Sequence, residues 1–156
     1  MTPEELKKKL GQVAALVQGA SREFLLLGGK DLEGRMKSRI FNKGQNSQGQ
    51  AIGEYKSKYW IKKRKEGGRQ VKKVDLENTG ELRKSIQVVE DGKDVVLAII
   101  NDTDWDKAQG QELIQGKKKG GTKMTIFEPT AKEEKAVQAY INDLIEEKID
   151  KFFQNI

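Results

Sequence analysis

Val74-Asp75-Leu76-Glu77-Asn78-Thr79-Gly80-Glu81-Leu82-Arg83-Lys84-Ser85-Ile86 decides how this chain is read. It has the form L-x-x-T-G-x-L-x-x-S-I, and no residue in it carries catalytic chemistry. The pattern reads as a structural joint. A short turn at Asn78-Thr79-Gly80 precedes a strand that opens at Ser85, with Leu82 and Ile86 expected to be buried. Gly80 sits where a backbone conformation costly for other residues is expected.

Downstream of the joint the hydrophobic period becomes that of strands. Ser85 to Glu90 and Asp94 to Ile100 are β-rich runs joined by Asp91-Gly92, a dipeptide that tolerates positive φ and so favours a hairpin. Thr122 to Phe127 reads as a third strand. Upstream, Thr2-Pro3-Glu4-Glu5 supplies a helix cap, a proline at the first helical position and a reciprocal glutamate. Leu6, Leu10, Val13 and Val17 then recur at helical spacing. Gly19 weakens this helix, and Gly28-Gly29 is expected to end it. A second helix, capped by Asp31, carries Leu32, Met36 and Ile40 and fades at Asn42-Lys43-Gly44. At the other end, Pro129-Thr130-x-x-Glu133 is a further capping box. Val137, Tyr140, Ile141, Leu144, Ile145, Ile149 and Phe152 make one apolar face behind it. The expected fold is α+β: a small antiparallel sheet of about three to four strands, packed with N-terminal helices and a long C-terminal helix.

At 156 residues the chain is expected to form a single domain, residues 1–156. Hydrophobic and charged residues each make up 35% of it, so the core must be lean and neighbouring subunits are expected to add stability. The absence of cysteine and histidine removes disulfides, thiolate chemistry, the commonest general base and the commonest metal ligand. No signal-like segment and no run near the roughly 20 apolar residues of a membrane span is visible, so the expected setting is a cytoplasm or a particle assembled there. Two polar, glycine-rich segments, 42–53 and 110–121, are expected to be mobile loops with nothing to bury. Contact on docking and idle disorder both remain open for them.

Known chemical motifs fail on inspection. Gly116-Lys-Lys-Lys-Gly-Gly-Thr-Lys has the composition of a phosphate loop but the wrong order after its gap. Asp102-x-Asp104-x-Asp106 opens like a calcium loop, but Lys107 and Leu113 stand where glycine and glutamate are needed. A turn that caps a short helix through Trp105 and Leu113 accounts for it instead. Glu133-Glu134 and Glu146-Glu147 read as exposed helix carboxylates. No enzymatic activity and no cofactor are expected.

Charge is distributed unevenly. Net charge is +6, but Glu54 to Lys73 carries nine Lys/Arg against two Glu, whereas Glu128 to Ile156 carries seven acidic residues against four lysines. Lys117, Lys118, Lys119 and Lys123 form a second basic cluster. Tyr55-Lys56-Ser57-Lys58-Tyr59-Trp60-Ile61-Lys62-Lys63-Arg64-Lys65 mixes aromatics and cations as nucleic-acid surfaces do. Its aromatics could equally anchor a short helix to the core, and a merely solvated charged surface also stays open. The candidate contacts are Tyr59, Lys62, Lys63, Arg64, Lys65, Lys117, Lys118 and Lys119.

The chain resembles the virion morphogenesis, or tail-completion, family of tailed bacteriophages. The resemblance rests on Leu76, Thr79, Gly80, Leu82, Ser85 and Ile86, on a tyrosine- and lysine-bearing helix before them (Tyr59, Lys62, Lys63), and on a glycine-containing loop after an aromatic (Phe41 to Gly53). It covers most of Ile40 to Asn101. Where the family often has Trp-x-Pro-Leu-Ser, this chain has Ala51-Ile52-Gly53-Glu54. The resemblance implies a cofactor-free head–tail connector or tail-terminus subunit, made in the host cytoplasm and resident in the virion. It would form a ring with copies of itself and dock on other phage neck or tail proteins, with weak, non-specific DNA contact at most and no membrane. The alternative is a small basic nucleic-acid-binding protein using Tyr55–Lys73.

Overall fold

In the computed structural model, which describes residues 2–155, the chain begins with a helix longer than its sequence suggests. Helix α1 (Pro3–Lys37) starts at the expected capping box, where Thr2 Oγ1 accepts from the Glu5 N–H and Glu5 Oε2 accepts from the Thr2 N–H. It then runs unbroken through Gly19 and Gly28-Gly29, and the second helix expected from Asp31 is simply its continuation. Packing explains the glycines. A Cβ on Gly28 would lie 2.6 Å from Ile141 Cδ1, and one on Gly29 would lie 3.1 Å from a Val88 methyl. The doublet marks where α5 and the sheet press against adjoining flanks of α1, so close contact replaces the helix break. Asp31 pairs with Arg35 one turn on instead of capping anything. After Lys37 the helix widens into a π-turn, Ser38–Asn42, closed by the Lys43 N–H on the Ser38 carbonyl. The wider turn drives Arg39, Ile40 and Phe41 inward together.

Ile40 and Phe41 join Met36, Ile52, Val74, Ile86 and Ile126 in the main core. Ile52 comes from the segment expected to have nothing to bury. Residues 42–53 are instead stitched down: Ile52 N–H donates to Gly44 O, Val74 N–H to Gly53 O, and Ser47 N–H to Thr125 O. Asn46 is buried and its Oδ1 accepts from the Gln48 and Gln50 N–H groups. At Gly44, φ is +64° and a Cβ would meet the Val74 carbonyl at 2.4 Å. This loop is fixed by its backbone hydrogen bonds, which composition does not reveal.

The joint differs from its sequence reading at the strand's start and in the burial of Leu82. Gly80 has φ +83° and opens a single helical turn, α3 (Glu81–Ser85), so the strand begins one residue after Ser85. Ser85 and Ile86 are buried, and Leu82 is half-buried. Strands β1 (Ile86–Asp91) and β2 (Asp94–Ile99) pair antiparallel from Ile86↔Ile99 to Asp91↔Asp94, with Gly92-Lys93 as the turn. The sheet has these two strands and no more among the described residues. The expected third strand, Thr122 to Phe127, forms no ladder because α4 (Asp102–Lys118) takes its donors. Glu112 Oε1 accepts from Ile126 and Phe127 N–H, and the Glu112 carbonyl accepts from Met124 N–H. The α+β class stands, with a smaller sheet than expected.

Helix α4 also replaces most of the second expected loop. It is capped by Asn101, with Asp102 and Asp104 in its first turn, so the calcium-like spacing is a helix start. The helix continues through Gly110 to Lys118, where residues 110–121 were expected to be mobile. Gly116 allows the chain to fold back tightly, since a Cβ there would lie 2.5 Å from the Lys123 backbone.

Helix α5 (Ala131–Gln154) begins at the expected Thr130/Glu133 capping box. It lies antiparallel to α1, with Glu133 beside Arg39 at one end and Ile141 against Gly28 farther along. Glu133 is therefore a buried ion-pair partner and not the exposed carboxylate expected from sequence. From that crossing, α1 has 25 residues left to Pro3 and α5 has 13 left to Gln154. At about 1.5 Å per residue α1 overhangs by about 18 Å. Leu6 and Leu10 lie on the overhang, 48% and 58% exposed.

Candidate interaction surface

The basic helix α2 (Lys58–Glu66) is mounted through one of its own cations. Ser57 caps it by accepting from the Trp60 N–H. Arg64 points inward and is 5% exposed. Its Nη2 donates to Asp75 Oδ1 at 2.9 Å, Nη1 to Glu77 O at 2.7 Å and Nε to Gln70 O at 2.9 Å. Tyr55 stacks its ring under the guanidinium and donates its hydroxyl to Asp75. Burial and the neighbouring Asp75 charge push the Tyr55 phenol above its ordinary value. Arg64 is thus a structural anchor and not the partner contact expected from its place in the run. Its fixed fork, matched to a carboxylate and two carbonyls, suits it to that task better than a lysine. Asp75 is buried with it, and the next residue, Leu76, takes φ +55°.

With Arg64 turned in, Lys62, Lys63 and Lys65 face solvent beside Tyr59 and Trp60, which are 63% and 52% exposed. The alternative in which its aromatics anchor the helix holds only for Tyr55, drawn under Arg64, and for the half-buried Ile61. The rings of Tyr59 and Trp60 meet edge to face at 5.6 Å, and Lys63 Nζ lies 5.8 Å from the Tyr59 centroid.

Tertiary folding brings parts of the two basic clusters together, although the expected contacts Tyr59, Lys62, Lys63 and Lys65 line neither of the resulting grooves and Lys123 pairs with Glu112. Lys118 and Lys119, at the end of α4, share a groove of about 610 Å³ with Lys56, Lys72 and Lys73; Glu54 is its single acidic residue. A neighbouring groove of about 360 Å³ is lined by Trp60, Tyr55, Leu76 and Ile114, and the two meet at Gln115 and Lys118. Among the described residues, none of these lysines lies within ion-pair distance of a carboxylate. Lys117 is exposed on the last turn of α4 but lines neither groove. Sequence reasoning enclosed Lys56, Trp60, Lys72 and Lys73 within the Tyr55–Lys73 segment but singled out Tyr59, Lys62, Lys63, Arg64 and Lys65 as its contacts. The excess of cations over Glu54–Lys73 was the available signal; which cations turn outward was not in it.

The remaining polar clusters tie elements together. Ser85 Oγ donates to the buried Asp104, and Lys107 pairs with the same carboxylate. The Ser85 hydrogen bond holds the Asp104 carboxyl below its usual range, against the effect of burial. Glu33 accepts from Val88 N–H and pairs with Lys30 and Lys37. Burial alone would raise its pKa, but those hydrogen bonds together hold it below the ordinary value. Among the described residues no group of three or more His, Cys, Asp or Glu side chains is placed to hold a metal ion. No described helix is long and apolar enough to cross a membrane.

No protein-family model, curated protein or solved structure gives a significant match to the chain.

Proposed function

We propose that this protein is a structural assembly subunit of a tailed phage or prophage. It completes the tail or joins head to tail as a ring member, partnered by copies of itself and by other neck or tail proteins. On this reading it works without cofactor or catalysis, and is made in the host cytoplasm and carried in the virion. One observation carries the assembly part of the reading. The chain exposes 10565 Å² of accessible surface, where a compact monomer of 17.6 kDa exposes about 7,900 Å². The excess, about 2,700 Å², is roughly 1,350 Å² for each of a ring member's two contacts, within the roughly 1,000–2,500 Å² that each partner gives to an obligate interface. Apolar side chains stay open on the α1 overhang, at Leu6 and Leu10, and along the α5 stripe, which is only half-buried. The phage assignment rests on the Leu76–Ile86 motif and the order of elements around it.

The charge division supports self-association of the heterologous kind, which closes into a ring when the rotation permits. One copy's basic α2 region would meet the acidic α5 of the next. Ordering side chains at such contacts opposes association, so affinity in isolation should be weak and strengthened by a preassembled partner. The alternative, a small basic nucleic-acid-binding protein built on Tyr55–Lys73, draws on the same lysines but loses Arg64 to the interior.

Sedimentation velocity and negative-stain microscopy over rising concentration test the reading. Monomers should give way to discrete oligomers or rings. Leu6→Asn with Leu10→Asn should weaken that association at least tenfold while leaving the circular dichroism spectrum unchanged. A strict monomer at every concentration, together with normal particles from a phage deleted for this gene, would refute it.

A further inference from the structure

We infer that the two joined grooves beside α2 and the end of α4 form a binding site for single-stranded nucleic acid. The basic arm is lined by Lys56, Lys72, Lys73, Lys118 and Lys119, which come from three separate parts of the chain. All five are exposed, and none has a carboxylate within ion-pair distance among the described residues. A solvated lysine face on a helix would arise from one segment and be interleaved with acids, as Lys30, Glu33 and Lys37 are on α1. Here the fold instead concentrates unpaired cations along one concave track. Charge of that density and shape attracts a phosphate backbone.

The second arm selects the strand form. It opens from the first at Lys118 and presents Trp60 beside Tyr55, Leu76 and Ile114. Half of the Trp60 surface remains open to solvent. An exposed indole next to a cationic track gives an unpaired base a stacking partner, which a base inside a duplex cannot reach. Phosphates are assigned to the five lysines and a base to Trp60. An acidic protein surface would satisfy the lysines but leave the indole unused. A subunit that never oligomerised would still carry the site, so its failure and the failure of the assembly reading are distinguishable.

Fluorescence anisotropy with labelled oligothymidylate and with the matching dT:dA duplex tests this. The groove variant carries Lys56→Gln, Lys73→Gln, Lys118→Gln and Lys119→Gln. A control loses the same charge elsewhere through Lys7→Gln, Lys8→Gln, Lys132→Gln and Lys135→Gln. Wild type should bind the single strand more tightly than the duplex. The groove variant should reduce the slope of log K against log salt by about 3, from roughly 0.7 per lost single-strand phosphate contact, and the control should not. Trp60→Ala should weaken single-strand binding roughly tenfold and leave duplex binding unchanged. Equal losses in groove variant and control would overturn the site. So would an unaffected Trp60→Ala protein, or a groove variant that binds normally but no longer self-associates.

Discussion

Replacing Arg39 with methionine should be the most damaging single change to the interior. The guanidinium is 5% exposed and every one of its nitrogens is engaged: Nε donates to Glu133 Oε1 at 2.8 Å, Nη1 to Gln45 O and Ile126 O at 3.1 Å, and Nη2 to Glu128 O at 2.7 Å. One side chain thereby joins the π-turn, the 42–53 loop, the segment leading to α5 and α5 itself. Methionine fills similar volume but leaves the buried Glu133 charge without its cation, held only by the Thr130 N–H on Oε2. Breaking a buried pair in this way costs about 3–5 kcal/mol, a large share of the roughly 5–15 kcal/mol that holds a domain folded. At about 2–4 °C per kcal/mol for a chain of this size, the midpoint should fall by roughly 6–20 °C. Urea titration monitored by circular dichroism measures the change, with m held constant as the check on two-state behaviour. Arg39→Lys keeps the charge but not the fork and should lose roughly half as much. Adding Glu133→Gln to the methionine variant should restore about 1–2 kcal/mol, because the stranded charge goes with it. A loss below about 1 kcal/mol in Arg39→Met, or a lysine variant equal to wild type, would refute the assignment of Arg39 as the tie between these elements.

Two further outcomes are expected. Gly80→Ala should cost about 1 kcal/mol in thermal denaturation, because φ is +83° while the nearest atom to a new Cβ, Glu77 Oε1, stands off at 3.4 Å; unchanged stability would remove the joint as a conformational requirement. Stability should also be flat between about pH 5 and 8, since the chain has no histidine or cysteine to titrate there. Below that range Glu33 and Asp104, whose folded pKa values are depressed, contribute stability fully above the unfolded value near 4 and lose it as pH falls through the lower folded value. Glu33→Gln should flatten the acid limb in melts from pH 7 to pH 3, and an unaltered limb would contradict the tie between α1 and β1.

The amino-acid sequence by itself determined the features that depend on a few adjacent residues. Thr2/Glu5 and Thr130/Glu133 are capping boxes because a hydroxyl and a carboxylate three residues apart satisfy each other's backbone donors in any helix. The turn after Asp91 and the left-handed Gly80 follow from what glycine alone tolerates. Tertiary structure decided whatever needed a distant partner. Gly28-Gly29 reads as a break until Ile141 and Val88 arrive to occupy the space of the missing side chains. Residues 122–127 have the pattern of a strand, but their donors go to Glu112 on a helix whose continuation to Lys118 the lysine- and glycine-rich composition concealed. Arg64 stands in an unbroken run of cations from Lys62 to Lys65, and the approach of Asp75 is what turns it inward. The same folding brings Lys118 and Lys119 beside Lys72 and Lys73. Local rules fix which conformations a segment prefers, whereas burial and charge pairing are properties of neighbours, and the neighbours are chosen by the fold.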